Sequence, residues 1–211
     1  MTPLPPPAIT VRASRHPAAR DAARRLTALA GTLAPDRGID LVEADAPGPV
    51  LDVAGHPVRL ETGELHDWVL EAALLRALEP AHVLFLCVAN SARSQMAEGI
   101  ARSLAPDGVR VSSAGSEPSR VRPQAVEVLR EIGIDASEQF SKGVDDVGGP
   151  VDAVVTLCAE EACPVWLETA WRVHWALPDP AGAGADAATE LEAFRRVRDE
   201  LRRRLGLLFG R

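Results

Sequence analysis

From residue 83 to residue 209, short apolar runs alternate with segments whose apolar residues have helical spacing. The run VLFLCV (83–88) is apolar throughout, as in a strand buried on both faces, and SQMAEGIARSLA (94–105) after it has the spacing of a helix. Strands that alternate with helices imply a parallel sheet covered on both faces. Further strands are expected at 109–115, 151–158 and 171–177, and further helices at 123–134 and 188–209.

The first 80 residues follow a different order of elements. Strands are expected at 8–14 and 39–44 and in a hairpin over 49–60 that turns at Gly55-His56, and helices at 17–31, with Gly31 as C-cap, and at 63–78. This β-α-β-β-β-α order loosely resembles a thioredoxin-like module, although the first strand–helix junction, ASRHPAA, contains no cysteine. It also fits an unrelated α+β domain. Residues 1–80 are thus predicted to form a small N-terminal α/β domain whose role the sequence leaves open.

Composition and charge exclude several functions. The net charge of −7 divides into −3 for residues 1–80 and −4 for the rest, so neither half is expected to bind nucleic acid. No apolar run approaches the roughly 20 residues of a membrane span, and the start MTPLPPPAIT lacks the regions of a signal peptide. We therefore expect a cytoplasmic protein with no membrane partner. Three cysteines in a reducing compartment indicate catalysis, metal binding or core filling and not a disulfide scaffold.

Cys87 lies where the apolar run ends, and Arg93 follows six positions later at the start of a helix. Ligands bind at the carboxyl ends of parallel strands, and the N–H groups of such a turn can line a nest for an anion. The same field favours a thiolate, so Cys87 would be a nucleophile at neutral pH. Arg93 would grip two oxygens of a tetrahedral oxyanion, Ser94 could donate to the sulfur, and Asn90 could brace the loop. A core cysteine near a surface arginine would explain the pair equally well.

The stretch FLCVANSARSQMAEG (85–99) resembles the phosphate-binding loop of the low-molecular-weight tyrosine phosphatase fold, in particular its thioredoxin-coupled arsenate reductase branch. The resemblance continues through SSAG (112–115), AVEVLREIGID (125–135) and SKGVDD (141–146), and covers about residues 82–209. It implies that residues 81–211 form a phosphatase-like arsenate reductase domain. The residues that would bind the oxyanion are Val88, Ala89, Asn90, Ser91, Ala92 and Arg93.

The stretch LPDPAG (177–182) resembles the Asp-Pro loop of the same fold. The resemblance gives Asp179 the role of general acid for the leaving oxygen. An isolated Asp-Pro pair is usually only a turn, but this one follows the last expected strand and precedes the last helix, as the family requires. The chain has no tyrosine, whereas tyrosine phosphatases of this fold commonly place aromatic side chains beside this loop.

The stretch TLCAEEACP (156–164) contains Cys158 and Cys163. Arsenate reduction consumes two electrons, which thiols can supply by forming a disulfide. The resemblance implies that Cys87 attacks arsenate, that Cys158 then forms the Cys87–Cys158 disulfide and releases arsenite, and that Cys163 captures Cys158. Thioredoxin, or another thiol reductant, would reduce the exposed Cys158–Cys163 disulfide. The resemblance implies no bound cofactor, with phosphate or sulfate as analogues of arsenate.

Several alternatives stay open at this point. Cys158 and Cys163 are five positions apart, closer than in the best-known members of the branch, and the acidic pair between them, Glu160 and Glu161, should disfavour a nearby thiolate. Zinc would need four ligands, which the sequence does not offer at a suitable spacing, whereas core filling could explain Cys158.

The branch can also place a monovalent cation near Asn90 and Glu98, although most helix glutamates are solvated. Lys142 is the only lysine among 23 basic residues, which we attribute to genome composition. The alternative functions are a tyrosine phosphatase, in which the extra cysteines only protect Cys87, and a non-catalytic protein that senses an oxyanion.

Overall fold

The computed structural model describes residues 6–60, 65–159, 166 and 169–210. The chain divides into two compact units, Met1–Glu79 and Pro80–Arg211. A four-stranded sheet lies in each. Within the described ranges, no helix combines the length and the apolar character that crossing a membrane requires.

The first unit has its elements in the predicted order. They are β1 (Ile9–Ser14), α1 (Pro17–Leu33), β2 (Ile39–Ala44), β3 (Leu51–Val53), β4 (His56–Val58) and α2 (Asp67–Leu78). The strand order is β2-β1-β3-β4, in which β1 and β2 are parallel and β3 is antiparallel to both of its neighbours. The two helices pack against each other, and buried side chains such as Val11, Leu26 and Leu74 form the core. A small α/β unit at the N-terminal end of the chain is therefore confirmed.

Helix α1 is longer than predicted. It continues through Gly31, the expected C-cap, as far as Leu33. The N–H group of the buried Ala34 still donates to the carbonyl of Ala30 at 2.9 Å, which closes one more helical turn. Burial of Ala30 and Ala34, on either side of Gly31, Thr32 and Leu33, outweighs the tendency of glycine to end a helix.

The predicted hairpin turns one residue earlier than expected, at Ala54-Gly55. Both residues have positive φ, 53° and 86°. A two-residue turn of this kind needs positive φ at both central positions, so His56 becomes the first residue of β4, opposite Val53.

The second unit is built on a parallel sheet, as predicted. Its elements are β5 (His82–Cys87), α3 (Arg93–Leu104), β6 (Arg110–Gly115), α4 (Pro123–Arg130), a 3-10 turn (Val144–Asp146), β7 (Ala153–Cys158), β8 (Trp171–Leu177) and α5 (Ala187–Phe209). The strand order is β6-β5-β7-β8, and each neighbouring pair is parallel. Every residue of β5 is buried, which explains its unbroken apolar sequence.

Side chains cover both faces of this sheet. Helices α3, α4 and α5 pack against one another, and α3 lies on β5 and β6. Leu84 and Leu86 of β5 form a cluster with Val154 and Trp166, against which Val144 of the 3-10 turn packs. Because the strands are parallel, their carboxyl ends meet at one edge, and Cys87 lies there at the end of β5.

Candidate active site

The turn between Cys87 and Arg93 forms the predicted loop. Carbonyl groups of Val88, Ala89 and Ser91 accept backbone N–H groups from segment 117–122 at distances of 2.9 to 3.1 Å. These bonds tie the loop carbonyls to segment 117–122, which is compatible with the predicted nest of N–H groups for an anion.

Gly115, at the end of β6, lets this strand approach the loop closely. A Cβ atom at this position would lie 2.3 Å from the carbonyl oxygen of Val88 and 2.7 Å from the backbone nitrogen of Asn90. No side chain fits there. The glycine of the SSAG motif therefore allows the close contact that shapes the loop.

Asn90 has a φ of 44°, in the left-handed region that asparagine tolerates better than most residues. Its side chain is fully buried and fully bonded. The amide nitrogen donates to the hydroxyl groups of Ser94 and Ser113, both at 2.8 Å. The amide oxygen accepts from the side chain of Gln95 at 2.9 Å and from the backbone of Lys142 at 2.8 Å. The bracing role predicted for Asn90 thus has an explicit geometry.

This network reaches the nucleophile through Ser94. The sulfur of Cys87, which is 2% exposed, lies 2.9 Å from the hydroxyl oxygen of Ser94. Because Ser94 accepts from Asn90, its own proton is available to the sulfur. A hydrogen bond donated to sulfur stabilises the thiolate over the thiol. The geometry matches the role predicted for Ser94.

Arg93 joins the loop to the Asp-Pro segment. Its guanidinium group is buried and donates to a carboxylate oxygen of Asp179 at 3.1 Å and to the carbonyl of Leu177 at 3.3 Å. The side chain of Asp179 is 43% exposed, so it lies at the open side of the site. The structure therefore brings together the residues predicted to bind the oxyanion and to protonate the leaving oxygen.

Two side chains that the sequence analysis missed hold the Asp-Pro segment. One carboxylate oxygen of Glu190 accepts the N–H of Gly182 at 2.8 Å, and the other accepts the side-chain amide of Gln124 at 3.1 Å. Gly184 packs so closely on the start of α5 that a Cβ atom would lie 2.5 Å from the nitrogen of Glu190. A capping box of Asp186 and Thr189, directly before Glu190 in the sequence, could have located the start of α5.

Glu98 is buried, in contrast to the solvated glutamate that we considered. Only 1% of its side chain is exposed, and it accepts a hydrogen bond from Ser113. It also pairs with Arg102 and, at 3.1 Å, with the ammonium group of Lys142. A monovalent cation near Asn90 and Glu98 stays a prediction at this point. In the described ranges, no group of three or more His, Cys, Asp or Glu side chains is arranged to hold a metal ion.

Cys158 is the last residue of β7, the strand next to β5. It is 1% exposed, and the register that pairs Leu86 with Thr156 places Cys87 and Cys158 at the same edge of the sheet. Its partner on β8 is Leu177, whose carbonyl accepts from Arg93. Cys163 and the acidic pair Glu160 and Glu161 lie outside the described residues.

Comparison with known proteins places this site in a family. Residues 82–211 match the family model described as low molecular weight phosphotyrosine protein phosphatase. The chain belongs to this family.

Relatives of this chain include arsenate reductases. That of Halalkalibacterium halodurans is 45% identical over 126 residues, which is 58% of this chain and 91% of the relative. That of Bacillus subtilis strain 168 is 43% identical over 131 residues, which is 61% of this chain and 94% of the relative. The resemblance inferred from the loop is thereby confirmed.

Solved structures agree with these relatives. An arsenate reductase in the phosphate-binding state is 38% identical, with a TM-score of 0.52, and the match covers 61% of this chain and 96% of that one. The arsenate reductase of Archaeoglobus fulgidus is 32% identical, also with a TM-score of 0.52, and the match covers 61% of this chain and 99% of that one. The phosphatase fold predicted for the second unit is confirmed.

Proposed function

We propose that this protein reduces arsenate to arsenite through a relay of Cys87, Cys158 and Cys163. The observation that carries the proposal is a second buried cysteine, Cys158, at the end of the strand beside the nucleophile loop. A phosphatase needs only one cysteine, because water completes its cycle. A reductase needs thiols that can become a disulfide. The relatives named as arsenate reductases support the same assignment.

The first step uses the groups around the loop. The thiolate of Cys87 attacks arsenic, an S–As bond forms, and one As–O bond breaks. The N–H groups of the loop and the guanidinium of Arg93 bind the remaining oxygens. Asp179, in its protonated form, gives its proton to the departing oxygen, which leaves as water.

The second step transfers the electrons. The thiolate of Cys158 attacks the sulfur of Cys87, an S–S bond forms and the S–As bond breaks. Arsenic keeps the electron pair of that bond, passes from As(V) to As(III) and leaves as arsenite. The thiolate of Cys163 then attacks Cys158 and frees the Cys87 thiolate.

An external dithiol completes the cycle by reducing the Cys158–Cys163 disulfide. We propose thioredoxin, or another thiol reductant, for this role and the cytoplasm as the compartment, because the catalytic cysteines must return to the reduced state. Phosphate and sulfate, as tetrahedral oxyanions, would bind the loop as analogues.

The test is arsenate-dependent NADPH oxidation by the full chain with thioredoxin and thioredoxin reductase. We expect turnover that Cys87→Ser, Cys158→Ser and Cys163→Ser each abolish. Hydrolysis of an aryl phosphate, run beside it, separates the alternatives. Hydrolysis that depends on Cys87 but not on Cys158, without arsenate turnover, would identify a phosphatase, and inactivity in both assays would favour an oxyanion-sensing protein.

A further inference from the structure

A buried negative charge lies directly behind the oxyanion loop. Glu98 is 1% exposed and receives a hydrogen bond from Ser113, whose hydroxyl accepts from Asn90. A buried carboxylate is costly unless it is paired with a positive charge and hydrogen-bonded. The network from Glu98 to Cys87 therefore depends on the cations that neutralise Glu98.

Two basic side chains neutralise Glu98, and they differ in exposure. Arg102 is 54% exposed at its side chain, whereas Lys142 is only 14% exposed. The ammonium group of Lys142 lies 3.1 Å from Glu98 and 3.4 Å from the carbonyl of Phe140. Since salt and water screen the exposed pair more strongly, Lys142 is the dominant partner.

Lys142 also contacts the loop through its backbone. Its N–H donates to the side-chain oxygen of Asn90 at 2.8 Å, and its carbonyl accepts from the N–H of Gly115 at 3.0 Å. The residue therefore spans Asn90 and Glu98, the two residues beside which the sequence analysis predicted a monovalent cation.

The choice of lysine at this position is itself informative. Lys142 is the only lysine in a chain that carries 23 basic residues. An ammonium group is a compact point charge with donors that can rotate, whereas a guanidinium group is a planar fork. The carboxylate oxygen that Lys142 contacts also accepts from Ser113, so a small cation suits the position.

We propose that Lys142 is a positioning residue that supplies, from the chain itself, the positive charge expected from a monovalent cation. Its ammonium group neutralises Glu98, Glu98 accepts from Ser113, and Ser113 accepts from Asn90. The same amide nitrogen of Asn90 donates to Ser94, whose hydroxyl lies beside Cys87. Binding of a tetrahedral oxyanion by this chain is then independent of an added monovalent cation such as potassium. The inference rests on oxyanion binding by the loop, which is part of the proposed function, but not on the reduction of arsenate.

The test measures binding of inorganic phosphate to the full chain by calorimetry, in potassium chloride and in choline chloride of equal ionic strength. We expect wild type to bind equally well in both salts. Lys142→Met should bind about tenfold more weakly in choline chloride, because Glu98 loses its buried partner. Potassium should restore much of this binding, since a cavity of about 250 Å³ reaches Glu98 and Lys142 and gives an ion access.

Arg102→Met is the matched control, because it removes the exposed partner of the same carboxylate. It should bind phosphate within about twofold of wild type in both salts. The proposal would be overturned if the wild-type protein bound phosphate only in the presence of potassium. It would also be overturned if Lys142→Met bound phosphate as tightly as wild type in choline chloride. Equal weakening of phosphate binding by Lys142→Met in both salts would show that Lys142 acts through packing, and this result too would overturn the proposal. If Lys142→Met does not fold, the comparison of wild-type phosphate binding in the two salts still tests the proposal. Loss of arsenate turnover alone would contradict the proposed function and leave this inference standing.

Discussion

At the scale of single residues, the site depends on Asn90, whose side-chain donors and acceptor are all used in hydrogen bonds. Asn90 uses both amide hydrogens and accepts two bonds at its oxygen, so the orientation of the network around it is fixed. The sequence indicated Cys87 and Arg93 because a strand end followed by a helix start is readable from pattern. It could not reveal Ser113 or Gln95, whose roles arise only from contacts across the fold.

Replacing Ser94 by alanine removes the hydrogen-bond donor that faces the nucleophile. We expect the reaction of Cys87 with iodoacetamide at neutral pH to slow by roughly 10- to 100-fold, since one bond to a charged group contributes about 1.5 to 3 kcal/mol. The rate is measured in a Cys158→Ser/Cys163→Ser background, so that only Cys87 reacts. Ser103→Ala, on the same helix but bonded to the carbonyl of Ile100, is the control and should leave the rate unchanged. Equal rates in Ser94→Ala and the control would contradict the network.

Gly115→Ala should distort the loop, because the added methyl group would overlap the carbonyl of Val88. We expect a loss of about 1 to 3 kcal/mol in the free energy of unfolding, as for other overpacked sites, together with weaker phosphate binding. Gly31→Ala is the control, because nothing lies within 4 Å of a Cβ atom there and the residue is helical. It should be neutral or stabilise by up to about 1 kcal/mol. Urea unfolding of both variants checks the difference, and a Gly115→Ala protein as stable as wild type would refute it.

At the scale of elements, patterns predicted which strands and helices exist better than where they begin and end. The apolar run of β5 was readable because both of its faces are covered. The end of α1 and the turn at Ala54-Gly55 were not readable, since the first depends on burial of Ala34 in the fold and the second on backbone dihedrals. The role of Cys163, which lies outside the described residues, stays a prediction.

The start of β5 carries a pH-sensitive contact. His82 is buried, its Nδ1 atom donates to the carbonyl of Pro150 at 2.8 Å, and its Nε2 atom accepts from Ser112 at 2.7 Å. Burial lowers the pKa of His82 below the usual value of about 6.5. Because the unfolded chain then binds the extra proton more readily than the folded one, stability rises with pH in the window between the folded pKa and about 6.5. The free energy of unfolding should therefore decrease as the pH falls below about 6.5.

Melting temperatures between pH 8 and pH 5 measure this effect. The pH dependence of His82→Gln should be flatter than that of wild type, although its melting temperature at pH 8 is lower. His66→Gln, at an exposed position, should follow the wild-type profile. A His82→Gln profile parallel to that of wild type would assign the pH dependence to other groups.

At the scale of the whole molecule, the similarity to arsenate reductases lies in the second unit. The curated arsenate reductases match 58% and 61% of this chain but 91% and 94% of their own length. The elements that carry the site all lie in Pro80–Arg211. The change in element order along the sequence predicted this division. It predicted no role for the first unit, because residues 1–79 contain no cysteine and their topology alone indicates no chemistry.

Removal of residues 1–79 should therefore leave arsenate turnover within about twofold of the full chain, since no site residue is lost. Circular dichroism of the shortened protein establishes that it is folded before its kinetics are compared. A folded but inactive fragment would place the first unit in the catalytic cycle, for example in docking the reductant.

The relay requires that Cys158 attack the Cys87 adduct, and disulfide mapping tests this step. A reduced Cys163→Ser protein is mixed with one equivalent of arsenate without any reductant, the remaining thiols are alkylated, and the disulfides are mapped by mass spectrometry. We predict a Cys87–Cys158 disulfide and one equivalent of arsenite. Absence of that disulfide, with arsenate left unreduced, would contradict the relay and leave a phosphatase-like site that binds arsenate without reducing it.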